Sequence, residues 1–285
     1  MDKKKWFYEV HRDILSIGFQ FTKTLFDQKS NFQSVKVIET KGYGPMLIND
    51  DIVMTTQRDE FIYHEMIAHV PLMTHPNPEH VLIIGGGDGG TAREVLKHKK
   101  VKKCTMIEID PVVVEACRKH LKVTSQSLDH PLLDLKFEDG AAYVAQHKNT
   151  FDVILVDSSD PVGPSAVLFG DAFYKNVYEA LKEGGIVVAQ GESPFYEMET
   201  QKRLLQTVHK FFKYVGFYNY DNLTYSSGLW SFLWASKQYH PIKDFKEERV
   251  DDAGIRFRYY NKEIHRASFC QPQFVKEALM SCWTL

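Results

Sequence analysis

Acidic residues stand wherever a short apolar run ends in the middle of this 285-residue chain. Gly85-Gly86-Gly87-Asp88-Gly89-Gly90 follows the run 81–84. Glu108 and Asp110 follow 105–107, Asp139-Gly140 follows the alternating Leu133, Leu135 and Phe137, and Asp157-Ser158-Ser159-Asp160 follows 151–156. A glycine turn lets a backbone approach a ligand closely. An acid roughly 20 residues further on, at the next strand end, is placed to accept hydrogen bonds from ribose hydroxyls. Asp139 could accept from an adenine amino group, although Asp-Gly is also an ordinary turn. These features describe an adenosine site, of either a nicotinamide cofactor or an S-adenosyl compound. Asp88 separates the two. A carboxylate inside the glycine turn would repel a pyrophosphate, whereas a cationic sulfonium tolerates it. The pair Asp157 and Asp160 could hold a metal or cap a helix. No further oxygen or histidine ligand lies nearby in sequence, so no metal is expected, and a cationic amine explains the pair better. Tyr63, His64 and Tyr225 are candidates for the walls of such a pocket.

The elements that must carry these residues are legible from the apolar pattern. Up to about Thr56 the chain is β-rich, with strands at 35–38, 46–48 and 52–54 around the turn signal Asn49-Asp50-Asp51. A helix is expected from Thr56 as its cap, with Asp59 three residues on and Pro71 at its end. Continuous apolar runs at 81–84, 151–156 and 186–189 read as strands covered on both faces. Helices are expected at 91–98, after Pro111, and at 173–181 with Gly184-Gly185 as its stop. This alternation predicts an α/β fold with a doubly wound, mostly parallel sheet, which binds ligands outside its strands' carboxyl ends. Segments 217–220 and 229–235 would close it as a hairpin, and 272–280 would be a last helix. The division expected is residues 1–56 and 57–285.

Composition narrows the class. A formal net charge of −2 argues against nucleic acid as a partner. Cys104, Cys117, Cys270 and Cys282 form no CxxC pair and suit a reducing compartment. No apolar run approaches the ~20 residues of a membrane span, so the cytoplasm is the expected location and no membrane is expected as a partner.

Four ordered motifs then resemble the spermidine synthases, the polyamine aminopropyltransferase family of the bacterial type. They are Arg58-Asp59-Glu60-Phe61-Ile62-Tyr63-His64-Glu65-Met66, the strand and glycine turn 81–90, Glu108-Ile109-Asp110, and Asp157-Ser158-Ser159-Asp160-Pro161-Val162-Gly163-Pro164. The tail Arg258-Tyr259-Tyr260-Asn261 with Ile264-His265 is similar as well. The resemblance implies a small N-terminal β-domain for oligomerisation, a Rossmann-like domain of the S-adenosylmethionine-dependent methyltransferase type, and a homodimer or homotetramer. It implies that Gln33, Glu108, Asp139, Gly140 and Pro164 contact the nucleoside, and that Asp88 and Asp157 hold the ammonium of the aminopropyl chain. Tyr63, His64, Asp160, Gln190 and Tyr225 would line the polyamine side, with Glu9 on the distal amine. The implied reaction moves the aminopropyl group of decarboxylated S-adenosylmethionine, a co-substrate rather than a cofactor, onto putrescine. Asp157 is then the candidate base, and Tyr63 orients the nitrogen. A methyltransferase, or a sheet that only binds polyamines, are the competing expectations.

Overall fold

The computed structural model describes residues 5–159, 167–226 and 228–285. Two sheets organise it. The first is an antiparallel meander of β1 (Lys5–His11), β2 (Leu15–Lys29), β3 (Ser34–Thr40), β4 (Gly44–Asn49) and β5 (Ile52–Thr56), hydrogen-bonded in chain order. The second has the order β11-β12-β10-β9-β6-β7-β8. Its parallel strands are β6 (His80–Gly85), β7 (Lys103–Glu108), β8 (Leu133–Phe137), β9 (Phe151–Asp157) and β10 (Leu181–Gln190). The edge hairpin expected from the sequence is β11 (Tyr214–Asp221) with β12 (Leu229–Ser236), antiparallel to each other, and β12 is antiparallel to β10.

The helices that bear on the site are α1 (Glu60–Thr74), α2 (Gly90–Val95), α3 (Pro111–His120), α4 (Lys122–Ser125), α5 (Gly140–Ala145), α6 (Asp171–Ala180) and α7 (Met198–His209). The central strands are apolar throughout because both faces are covered. Val81, Ile83, Val153 and Leu155 pack on the side of α1, while Leu82, Ile84, Ile154 and Val156 pack against α5, α6 and α7. The chain leaves β6 for β7 and β8 on one side, then crosses back to β9 and β10 on the other. That reversal opens a crevice beyond Gly85 and Asp157, which are register partners. The first sheet docks on the second unit through Val35, Val37 and Leu47, which pack on Val113, Ala116, Cys117 and Leu121 of α3 and its end.

Some boundaries differ from expectation. α1 begins at Glu60 rather than Thr56, because residues 52–56 complete β5 and the Thr56 hydroxyl donates to the Asp59 carboxylate at 2.5 Å. It also runs past Pro71 to Thr74. Burial on all sides outweighs the one hydrogen bond that Pro71 omits. α2 is shorter than 91–98. Gly184-Gly185 do not stop a helix. α6 ends at Ala180, Leu181 already pairs with Phe151, and the glycines lie in the irregular stretch between Leu181 and Ile186. The sequence pattern did not delimit β1 and β2, whose side chains are largely half-exposed or exposed.

Candidate active site

A cavity of about 570 Å³ opens at the crevice, between the carboxyl ends of β6, β7 and β9, the first turn of α1 and the first sheet. Every site residue named from the sequence and described in the structure lines it: Glu9, Gln33, Tyr63, His64, Asp88, Glu108, Asp139, Gly140, Asp157, Gln190 and Tyr225. Asp160 and Pro164 lie outside the described residues.

One end is built by short chain segments. Glu108 ends β7 and is buried, and its Oε1 accepts from the Asp110 backbone N–H at 2.9 Å. Burial, with Asp110 and Asp157 nearby, pushes its carboxyl up to about 7 against the opposing backbone hydrogen bonds. Asp110 caps α3 and ties in the first sheet, since its Oδ2 accepts from Ser30 Oγ at 2.7 Å and Gln33 Nε2 at 3.0 Å. Asp139 caps α5, its Oδ1 accepting from Ala141 N and Ala142 N at 2.7 and 3.1 Å. The glycine turn passes close to this end: a Cβ on Gly87 would lie 2.7 Å from Glu108 Oε2.

The other end is held by contacts between distant segments. Asp157 Oδ1 accepts from the Tyr63 hydroxyl at 2.7 Å, and Oδ2 accepts from Thr91 Oγ1 at 2.6 Å. Burial and the neighbouring Asp88 raise the Asp157 carboxyl above its ordinary range, although His64 and the two hydroxyls pull the other way. Tyr63 is wedged edge-on against Phe232 and Tyr220. Burial and the facing Asp157 raise its hydroxyl well above the usual tyrosine value, so it stays a donor. His64 sits between two carboxylates, with Nδ1 2.6 Å from Glu60 Oε2 and Nε2 3.4 Å from Asp88 Oδ1. Burial opposes its charge, but Asp88 and Glu60 outweigh that and lift it to about 10, so the ring is an imidazolium. The Tyr225 hydroxyl donates to the Met54 carbonyl at 2.6 Å, and Glu9 Oε2 accepts from Val53 N at 2.7 Å. Gln190 Nε2 donates to Glu192 Oε1 at 3.2 Å. At the rim, Arg12 pairs with Glu197.

The cavity thus joins a buried carboxylate at one end, Glu108, to an end where Asp88, Asp157 and Glu60 surround His64 and Tyr63. The chain matches the model of the spermine/spermidine synthase domain over residues 60–247 and that of the spermidine synthase tetramerisation domain over residues 5–57. It belongs to the spermine/spermidine synthase family. A polyamine aminopropyltransferase of Caldicellulosiruptor bescii is 47% identical over 277 residues, covering 96% of this chain and 98% of that protein. The Bacillus subtilis polyamine aminopropyltransferase is 43% identical over 274 residues, covering 96% and 98%. A spermidine synthase solved in complex with the transition-state analogue AdoDATO superposes with a TM-score of 0.95 at 43% identity, covering 98% of this chain and 97% of that chain.

The site also holds residues to which the sequence alone assigns no role. Thr91, the second ligand of the Asp157 carboxylate, directly follows the glycine turn and was readable as a first-turn hydroxyl. Glu60 lies four residues before His64 on one helix face, a spacing that signals a pair. Arg93 carried no such signal, because its partner Glu60 is 33 residues away. The tail motif has a supporting place: the Glu65 carboxylate accepts from the backbone N–H groups of Arg258, Tyr259 and Tyr260 at 2.8 to 3.1 Å. Among the described residues no cluster of His, Cys, Asp or Glu could hold a metal ion, and no helix is long and apolar enough to cross a membrane.

Proposed function

We propose that this aminopropyltransferase moves the aminopropyl group of decarboxylated S-adenosylmethionine onto putrescine, giving spermidine and methylthioadenosine. Glu108 receives the ribose hydroxyls, with Gln33, Asp139 and Gly140 around the rest of the nucleoside. Asp88 faces the ammonium of the aminopropyl chain. Putrescine lies along Tyr63, His64, Gln190 and Tyr225, its far amine toward Glu9. An alkyl ammonium titrates at pH ~10, so the attacking nitrogen must be freed of a proton. That nitrogen attacks the methylene beside the sulfonium. The new C–N bond forms as the C–S bond breaks, its electron pair goes to sulfur, and the surplus proton passes to Asp157. The sulfonium is already a good leaving group, so alignment supplies most of the remaining acceleration.

The observation that carries this reading is the Asp157 carboxylate. It is fixed by Tyr63 and Thr91 and made more basic by burial and by Asp88. We further assign residues 1–56 to oligomerisation and the substrate edge and residues 57–285 to catalysis, in a cytoplasmic homodimer or homotetramer. The test is incubation with putrescine and each S-adenosyl donor, followed by mass spectrometry. A gain of one aminopropyl unit from the decarboxylated donor is expected. A gain of one methyl group from S-adenosylmethionine, or no product at all, would overturn the reading.

A further inference from the structure

The imidazolium of His64 is out of place in a site built for ammonium groups, and the residues behind it explain its presence. Its ring is pinned on one side by the glycine turn, where a Cβ on Gly90 would lie 2.2 Å from His64 Cε1. On the other side stands Glu60, fully buried, whose carboxylate receives a two-pronged grip from Arg93: Nη1 to Oε1 at 3.0 Å and Nη2 to Oε2 at 2.7 Å. Arg93 is anchored in turn, its Nε donating to Glu94 Oε1 at 2.7 Å and its Nη1 to the Val123 carbonyl at 2.8 Å. Glu94 is held by His69 Nε2 at 3.0 Å and Lys97 Nζ at 2.5 Å. A guanidinium fork fixes the plane of a carboxylate as well as its charge. The line of contact therefore runs from Glu94 through Arg93, Glu60 and His64 to Asp88 Oδ1, which also accepts from Gly90 N at 2.7 Å. Both contacts use the same oxygen of Asp88.

We propose that Arg93 and Glu60 are positioning residues, which hold His64 as a fixed cation against Oδ1 of Asp88 and so aim the rest of that carboxylate at the substrate ammonium. Arg93 does not line the cavity, and Glu60 borders it only with a fully buried side chain already paired to His64 and Arg93, so each acts through the next. The groups facing His64 are Glu60 one turn back on its own helix, the Tyr63 ring, Asp88 from the glycine turn and Asp157 from the end of β9. Glu60 is kept ionised, down at about 2, because burial is outweighed by His64 and Arg93. Loss of its charge leaves Asp88, with Asp157 beside it, to hold the proton on His64 against burial.

This inference rests on the aminopropyltransferase reading for what Asp88 binds, and its first readout does not use a substrate. Glu60→Gln keeps the shape and removes the charge. In the full-length free enzyme, nitrogen-15 spectra of the His64 ring should report an imidazolium at pH 8 in the wild type and a neutral ring in Glu60→Gln. In steady state the same variant should raise KM for the nucleoside donor about 10-fold, the worth of one charge-assisted hydrogen bond, with a smaller fall in kcat. Arg93→Lys, which keeps charge without the fork, should shift KM in the same direction by less. Arg93→Met alone leaves Glu60 buried and unpaired, so it is made together with Glu60→Gln. Because Arg93 acts through Glu60, the double variant should match Glu60→Gln in KM. A ring that stays charged in Glu60→Gln, an unchanged KM, or additive losses in the double variant would each overturn the proposal. A wild type that transfers no aminopropyl group would instead count against the activity and leave the spectral test standing.

Discussion

The two ends of the cavity are built on different principles. At the end we assign to the nucleoside, each carboxylate is held by its own stretch of chain: Glu108 by the backbone of Asp110 two residues on, and Asp139 by the N–H groups two and three residues on. At the end we assign to the amines, the partners are 94 residues apart for Tyr63 and Asp157, 66 for Thr91 and Asp157, and 33 for Glu60 and Arg93. The first kind of arrangement needs only a strand end and the turn that follows it. The second exists only once α1 has packed across the strand ends, with its polar residues already paired. Its charges are also balanced differently. Glu108 has no cation beside it among the described residues, so burial raises its carboxyl. Glu60 and Glu94 are buried too, yet cationic partners hold them below the ordinary range.

If the amine end works as one unit, its central acid should be the hardest residue to replace. Asp157→Asn keeps the shape and both hydroxyl contacts within reach but removes the base. The expected loss in kcat is ~10²–10⁴, the usual cost of a general base. Affinity for methylthioadenosine should change far less, because the nucleoside end is held separately. Initial rates at saturating putrescine and calorimetry with the product measure the two quantities. Activity within a few-fold of wild type would unseat Asp157.

The same contrast governs how much the sequence reveals. The nucleoside end could be read because its rule is local: an apolar run, then an acid, then a helix. Glu108, Asp139 and the glycine turn all follow it. Asp157 was legible for that reason as well. The lattice behind His64 was not, because Arg93 looks like an ordinary helix residue until α1 and α2 meet. The edge of the first sheet was obscured for a different reason. Many residues of β1 and β2 are half-exposed or exposed, so the apolar alternation that marks a strand is weak there. α1 misled at both ends because its position is set by tertiary burial, which overrode the local signals of Thr56 and Pro71.

A second test addresses the end that is held locally. A charge-assisted hydrogen bond to ribose is worth ~1.5–3 kcal/mol, so Glu108→Ala should weaken methylthioadenosine binding by roughly 10–150-fold. Its elevated carboxyl adds a pH signature. If Glu108 grips the ribose hydroxyls as a carboxylate, protonation weakens that grip, and burial, with Asp110 and Asp157 adding to it, raises its carboxyl to about 7. Wild-type affinity should therefore decline below neutrality, approaching ~10-fold per pH unit at the limit. Glu108→Gln should bind weakly but with a flat profile. Calorimetric titrations between pH 5.5 and 8.5 would show it, and a wild-type profile as flat as the variant's would mean that Glu108 does not grip the ribose as a carboxylate.

The smallest expected effect lies where the two ends meet, at Asp88, and it concerns selectivity rather than rate. The two S-adenosyl donors share adenosine and sulfonium and differ at the end of the chain, a bare ammonium in one and an added carboxylate in the other. If that end lies where we propose, it meets both Asp88 and Asp157, and among the described residues His64 is the cation that offsets them. An added carboxylate there meets like charge in a partly wet cavity. At ~1–3 kcal/mol for such a contact, the preference for the decarboxylated donor should be at least ~10-fold. Asp88→Asn should narrow that gap from both sides, loosening the decarboxylated donor and admitting S-adenosylmethionine. It should leave methylthioadenosine, which lacks the charged end, nearly unaffected, and that separates a selectivity effect from general damage to the glycine turn. The measurement is three dissociation constants for each protein. Equal binding of the two donors by the wild type would show that Asp88 does not discriminate, whereas a matching loss for methylthioadenosine would move Asp88 to the nucleoside end and erase the boundary between the two.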